Sequence, residues 1–377
     1  MASFLDYFRG KKALVTGHTG FKGAWLSLWL HRLGASVAGF ALAPAAKPNF
    51  FESCKLETRI KSHIGDIRDL DRLKQVLAKE EPEIIFHLAA QPLVRLSYLK
   101  PSETFSVNFT GTLNLLEAIR EIPTVRVCQI VTSDKCYENR ESGRPFSEQD
   151  PLGGRDPYSA SKASAELAVA AYRHSFFPPE KIHEHGVSVS SVRAGNVIGG
   201  GDWGEDRLIP DCIRALSQKK SIPIRNPSAI RPWQYVLDAL SGYLQLAEQQ
   251  AMGSALHASA WNFGPEEAHL TVAELTEQVI KLWGSGSWSS SNPEKPFSEF
   301  YESASLRLDC SKANRLLNWH PVLNTEEGIE ETVEWYRRFY QEDAFDPLTF
   351  SLSQLARYEK KLKERGHSWT LYQKEMR

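Results

Sequence analysis

Through the first half of the chain, short apolar runs alternate with longer amphipathic ones. KKALVTG (Lys11–Gly17) predicts a buried strand running into a glycine turn. AWLSLWLHRLG (Ala24–Gly34) predicts a helix closed by a glycine. ASVAGFAL (Ala35–Leu42) predicts a strand, LDRLKQVLAKEEP (Leu70–Pro82) a helix, and EIIFHLAA (Glu83–Ala90) a strand. Ser102–Ile122 reads as one long helix and Val125–Ser133 as a strand. Tyr158–Phe176 reads as a helix, and VSVSSVRAGNVIG (Val187–Gly199) as a single strand. Strands alternating with helices predict an α/β fold, a doubly wound parallel sheet covered on both faces. Near-continuous apolar strands fit that burial.

After Gly199 the rhythm breaks. GGGDWGED (Gly199–Asp206) predicts a loop, Leu208–Lys220 a helix and Trp233–Gln250 a helix returning to the sheet. GSGSWSSSNP (Gly284–Pro293) reads as a polar surface loop, and Leu348–Arg377 as a charged helical tail. The expected division is a dinucleotide domain over 1–195, rejoined by 233–262, and a smaller mixed lobe from 196–232 and 263–377.

Composition narrows the class. The 377 residues carry 45 basic and 46 acidic side chains, so no overall field favours nucleic acid or an anionic membrane. The five cysteines, Cys54, Cys128, Cys136, Cys212 and Cys310, show no CxxC spacing and read as reduced thiols. The apolar, charge-free stretch Leu33–Ala46 is too short to span a bilayer. MASFLDYFRGKKALV lacks the layout of a secretion signal, so a cytoplasmic protein is expected. HEH (His183–His185) has no third ligand in view, and no metal is expected.

VTGHTGFKG (Val15–Gly23) sets Gly17, Gly20 and Gly23 three apart between a strand and a helix. Such spacing gives a tight turn, a close approach to a pyrophosphate and close helix–strand packing. His18 within it is expected to pack or hydrogen-bond rather than move protons. No acidic residue occurs between Tyr7 and Phe51 to grip a ribose, so these residues leave NAD and NADP open. Asp66 in GDIRD offers an acceptor for adenine; its competing role is a helix N-cap, which Asp69 fits better.

YSASK (Tyr158–Lys162) puts Tyr158 and Lys162 on one helix face. A phenol has pKa near ~10, and a neighbouring ammonium favours its ionised form. The pair suits deprotonation of an alcohol as hydride leaves its carbon. TSDKCY (Thr132–Tyr137) ends a strand at the ligand-binding edge. There Ser133 can bond the reacting hydroxyl, while Asp134 and Lys135 set an acid and a base side by side. The competing readings are an exposed helix pair and an ion pair in a turn.

The glycine turn, HLAAQ (His87–Gln91), VNFTGT (Val107–Thr112) and YxxxK, in this order, resemble the extended short-chain dehydrogenase/reductases, in their nucleotide-sugar dehydratase and epimerase group. The resemblance covers about Met1–Leu246 well. It implies a tightly held, recycled NAD in contact with Gly17, Gly20, Phe21, Gly23, Asp66, Ile67, Leu88, Ala89, Ala90, Gln91, Asn108, Thr132, Tyr158 and Lys162. It implies a nucleotide sugar held by Arg95, Asn196, Arg207, Leu208, Ile209 and Arg231, with Arg231 on the diphosphate. Trp203 and Trp233 are expected either to stack on the base or to fill core. The implied reaction oxidises C4 of the sugar, eliminates water across C5–C6 and returns hydride to C6. Related dTDP-glucose dehydratases carry Asp-Glu where this chain has Asp134-Lys135, so Asp134 falls at the acid position. Lys135 then serves as the C5 base, which needs its pKa of ~10.4 lowered by about three units, or stabilises the enolate as a cation. A 4-epimerase, which needs no such pair, and a non-catalytic dinucleotide sensor are the alternatives. A homodimer or homotetramer, paired through the Ser102–Ile122 and Tyr158 helices, is also implied.

Overall fold

The computed structural model describes residues 4–141, 143–266, 270–290, 301 and 306–365. Eleven strands form: β1 (Lys12–Thr16), β2 (Ser36–Ala41), β3 (Lys61–Ile64), β4 (Ile84–His87), β5 (Val127–Val131), β6 (Ser188–Ala194), β7 (Asn196–Ile198), β8 (Ile222–Ile224), β9 (Trp233–Tyr235), β10 (Ala260–Phe263) and β11 (Trp288–Ser290). Seven of them make one sheet in the order β3-β2-β1-β4-β5-β6-β10, and every pairing is parallel. This is the doubly wound sheet expected from the alternation. Winding reverses between β1 and β4, which opens a crevice at their carboxyl ends.

The strands are apolar because both faces are covered. On one face lie the helices Leu70–Glu80, Gly111–Ile119 and Pro157–Ser175, packed on Leu14, Ile85, Cys128 and Val189. On the other lie the turn helix Phe21–Arg32 and the helix Val236–Ala251, packed on Val15, Phe86, Val127 and Val192.

Four segments differ from the sequence expectation. The run Val187–Gly199 is two strands, not one: it breaks at Gly195, where β6 leaves the main sheet and β7 pairs with β9. A Cβ on Gly195 would sit 2.9 Å from Pro232 Cγ and 3.0 Å from Asp134 Oδ2, so glycine is required there. The expected helix from Trp233 begins only at Val236, because Trp233–Tyr235 is spent on β9. The expected loop at Gly284 contains β11, which pairs with β8; its part beyond Ser290 lies outside the described residues. The long helix expected from Ser102 contains a π turn at Ser106–Thr110.

An aromatic cluster joins the lobe to the sheet. Trp25 on the turn helix stacks on Phe50 at 4.5 Å and donates to Gly200 O at 2.9 Å. Trp203 packs among Trp335, Tyr336 and Phe339 and is therefore core, not a stacking platform for a base. No helix among the described residues is long and apolar enough to cross a membrane.

Candidate active site

The glycine turn is built as its spacing requires. Gly17 sits at φ +73°, and a Cβ there would lie 2.7 Å from Ala89 N. A Cβ on Gly23 would fall 2.1 Å from Gly17 O, so the turn helix can approach the turn only through glycine. Gly20 is the helix N-cap and supplies no side-chain cap, which leaves the first N–H groups of that helix facing the crevice. Those donors, set at the switch point of a parallel sheet, fit the pyrophosphate of a dinucleotide.

From this turn a cleft of about 1410 Å³ runs past the ends of β4, β5 and β6 to the helix Leu208–Ser217 and β8. The structure brings the expected site residues together along it. Gly17, Gly20, Phe21, Gly23, Asp66, Ile67, Leu88, Ala89, Ala90 and Thr132 line one end. Ser133, Asp134, Lys135, Tyr158 and Lys162 line the middle, and Arg95, Asn196, Arg207, Leu208, Ile209 and Arg231 also line the cleft. Two expected contacts, Gln91 and Asn108, are not among the residues that line it. Asn108, in the π turn, accepts from Gln91 N and donates to Gln91 O and Ser161 Oγ. The Asn108 side chain joins the β4 loop to the helix that carries Tyr158, and the Gln91 side chain is spent on Leu93 and Thr104, so both support the wall.

Several residues have more than one role. Asp66 lines the cleft but is bidentate with Arg68, and Asp69 caps the next helix by accepting from Arg72 N. Arg207 pairs with Asp202 at 2.7 Å and still lines the cleft. Arg95 pairs with Asp206 at 3.0 Å. His18 turns away from the cleft: its Nε2 lies 2.7 Å from Ser62 Oγ, and burial lowers its pKa to about 4.

Burial governs the central electrostatics. Tyr158 hydrogen-bonds Ser133, yet burial raises its pKa to about 12, with the Arg207 charge opposing. Lys162, 3.3 Å from Val131 O, is lowered to about 8 by burial and then by the Lys22 charge. Lys22 is itself lowered to about 8, first by burial and then by Arg207. It stands inside the glycine motif and lines the cleft, a cation that a reading of the glycines alone passes over. Asp134 accepts from Ser133 Oγ at 3.0 Å through Oδ1, and its buried Oδ2 has no hydrogen-bond partner. Burial raises its pKa, against the opposing charge of Lys135. A carboxyl whose pKa is raised in this way is better suited to donate a proton than an ordinary carboxylate.

Behind this surface lies a buried ion pair the sequence reading did not find. Glu166, one turn beyond Lys162, accepts from Arg193 Nε and Nη2 at 2.9 and 2.7 Å and from Ser191 and Thr132. Arg193 also donates to Tyr137 Oη at 2.8 Å, and Tyr137 donates to Asn262. The i+4 spacing from Lys162 was its only sequence signal.

Comparison with known proteins follows this geometry. Residues 14–332 match the family model of the GDP-mannose 4,6 dehydratases. The chain is 48% identical over 334 residues to a CDP-glucose 4,6-dehydratase of Salmonella typhimurium, covering 88% of this chain and 92% of the relative. It superposes with TM-score 0.73 and 25% identity on a dTDP-glucose 4,6-dehydratase double mutant of Streptomyces venezuelae with NAD bound, covering 88% and 98% of the two chains. A UDP-glucose 4-epimerase of Thermotoga maritima shares the fold, with TM-score 0.72 and 22% identity over 87% of this chain and 99% of that one.

The Asp134 environment makes a prediction about stability. A carboxyl whose folded pKa is raised favours the fold most below its unfolded value of ~3.9, and that contribution is lost as pH rises through the folded value. Asp134→Asn removes the buried charge. Relative to the parent, its thermal midpoint should therefore rise progressively above about pH 4. Melting curves across pH check this; a difference that is flat or shrinks with pH would mean the carboxylate is not penalised.

Proposed function

The chain belongs to the GDP-mannose 4,6-dehydratase family, and on that premise we propose that it is a hydro-lyase converting CDP-glucose to CDP-4-keto-6-deoxyglucose. The observation that carries the reading is the convergence of Tyr158, Lys162, Ser133, Asp134 and Lys135 on one cleft beside a glycine turn shaped for a dinucleotide. The 48% identity to a CDP-glucose enzyme supports the base and the sugar. NAD, when bound, supplies the reversible hydride acceptor that a redox-neutral dehydration needs.

The chain's own residues do the rest. The free N–H groups after Gly20 hold the cofactor pyrophosphate, and Lys162 orients the nicotinamide ribose. Tyr158 removes the proton from the sugar 4-hydroxyl; Ser133 and the Arg207 charge favour its phenolate against burial. Asp134, whose pKa burial raises, protonates the 6-hydroxyl so that it leaves as water. Lys135 acts at C5, as base or as the cation opposite the enolate. Arg231 and Arg207 hold the diphosphate, which also balances the positive charge of Lys22.

The cofactor domain is assigned to 1–195 with 233–262, supported by β10 in the main sheet. The sugar-nucleotide lobe is assigned to 196–232 and 263–377, supported by the separate β8–β11 pair. The protein acts as a homodimer or homotetramer in the cytoplasm. In support, Leu167 on the Tyr158 helix is 60% exposed and all five cysteines are unpaired. Its product is a precursor for the deoxysugars of surface polysaccharide such as lipopolysaccharide.

The deciding experiment offers CDP-, dTDP-, UDP- and GDP-glucose separately to the purified protein, with NAD, and follows mass. Loss of one water from CDP-glucose is expected. Unchanged mass with galactose stereochemistry would instead make it an epimerase, and no turnover a sensor. In the same assay Lys135→Met should lower dehydration by at least ~100-fold, since one electrostatic stabiliser is worth about that much. Unimpaired dehydration would remove both roles from Lys135. Sedimentation at micromolar protein should show no monomer.

A further inference from the structure

The helix Leu208–Ser217 presents two faces of different character. Ile209, Cys212, Ile213 and Leu216 are buried in the core. Leu208, Asp211, Ala215 and, just beyond the helix, Gln218 follow at intervals of three, four and three and all line the cleft. From Leu208, beside Arg207, this row covers about 15 Å. That is room for a ribose and a base beyond a diphosphate held by Arg207.

A carboxylate in the row does not suit a diphosphate, yet Asp211 is there. Its Oδ1 is held by Arg214. The Arg214 guanidinium is fixed in turn on Trp203 O at 3.1 Å and Gly204 O at 3.2 Å. Oδ2 of Asp211 takes no hydrogen bond among the described residues, and the residue lines the cleft. The neighbouring carboxylates are committed: Asp202 to Arg207 and Gly204 N, Asp206 to Arg95 and Arg225. Burial raises the Asp211 pKa, a penalty that a donor on a ligand would offset. Asp211 thus offers the cleft an immobilised acceptor, suited to a neutral, donor-bearing part of the ligand.

Among pyrimidines the 4-position decides what such an acceptor meets. Cytosine presents an amine there, while uracil and thymine present an oxygen. We propose that Asp211 selects the base: Oδ2 accepts a hydrogen bond from the exocyclic amine of cytosine and repels the 4-oxo group of uracil and thymine. This inference rests on the reading that CDP-glucose is the substrate, and adds the residue that chooses it.

The test compares the parent, Asp211→Asn and Asp211→Ser for kcat and KM on CDP-glucose and UDP-glucose. Calorimetric Kd values for CDP and UDP are measured on the same proteins. A hydrogen bond to a charged group is worth about 10- to 100-fold in binding. KM and Kd for the cytidine ligands should rise by that factor with kcat nearly unchanged, and the preference for cytosine over uracil should fall accordingly. Either variant serves if the other does not fold, and a Tm within a few degrees of the parent establishes folding. An unchanged preference overturns the proposal. So does an equal loss on both ligands, which would place Asp211 on the ribose or in support of the lobe. A parent that dehydrates another nucleotide sugar and not CDP-glucose overturns the functional reading first, and this inference with it.

Discussion

A carboxylate and a guanidinium buried together hold the catalytic half of the cleft in register. Removing two such ions from water costs several kcal/mol each, and the pair is tolerable only when its remaining hydrogen-bonding capacity is met. Here it is met by the parts that must stay aligned. Glu166 rides on the helix of Tyr158 and Lys162 and accepts from Thr132, the residue before Ser133 and Asp134. Arg193 belongs to β6 and reaches Tyr137, just past Lys135. Tyr137 passes the connection to Asn262 on β10, whose amide holds Phe146 O and Asp309 O. One ionic contact therefore joins the catalytic helix, the acid–base turn and two sheet strands. A shift of any one would leave a buried charge short of partners.

In front of that pair the cleft works by withholding water. Tyr158, Lys162, Lys22 and Asp134 each have their charged form disfavoured first by burial. Such an arrangement is costly to the empty protein and useful to the occupied one, since a diphosphate restores favourable surroundings to the lysines. The same dryness acts on both proton carriers, a phenol and a carboxyl whose pKa values burial raises, with Ser133 bonded to each.

Much of this was legible because it is periodic. The alternation of apolar runs and amphipathic stretches specifies strands, helices and a parallel sheet. The glycine turn specifies its own geometry, and chain order then brings the strand ends, with Ser133 and Asp134, beside Tyr158. What was not legible depends on partners remote in sequence. A continuous valine- and serine-rich run hides the exit at Gly195. A Gly- and Ser-rich segment conceals β11, whose partner β8 lies over sixty residues earlier. Trp203 reads equally as a stacking platform or as core until Trp335 and Phe339 are seen to surround it. Gln91 and Asn108 carry the right residue types, but Asn108 is spent on the Gln91 backbone and Ser161, and the Gln91 side chain on Leu93 and Thr104. Lys22 was passed over because it sits among more conspicuous glycines.

The break at Gly195 has a mechanical meaning. The backbone that carries Arg193 on the sheet continues, across that one residue, into β7, where Asn196 lines the cleft. A side chain on Gly195 would come within 3.0 Å of Asp134 Oδ2. The residue at which the strand leaves the sheet is thus also the one that leaves the proton donor its room. One glycine serves the change of sheet and the acid above it together.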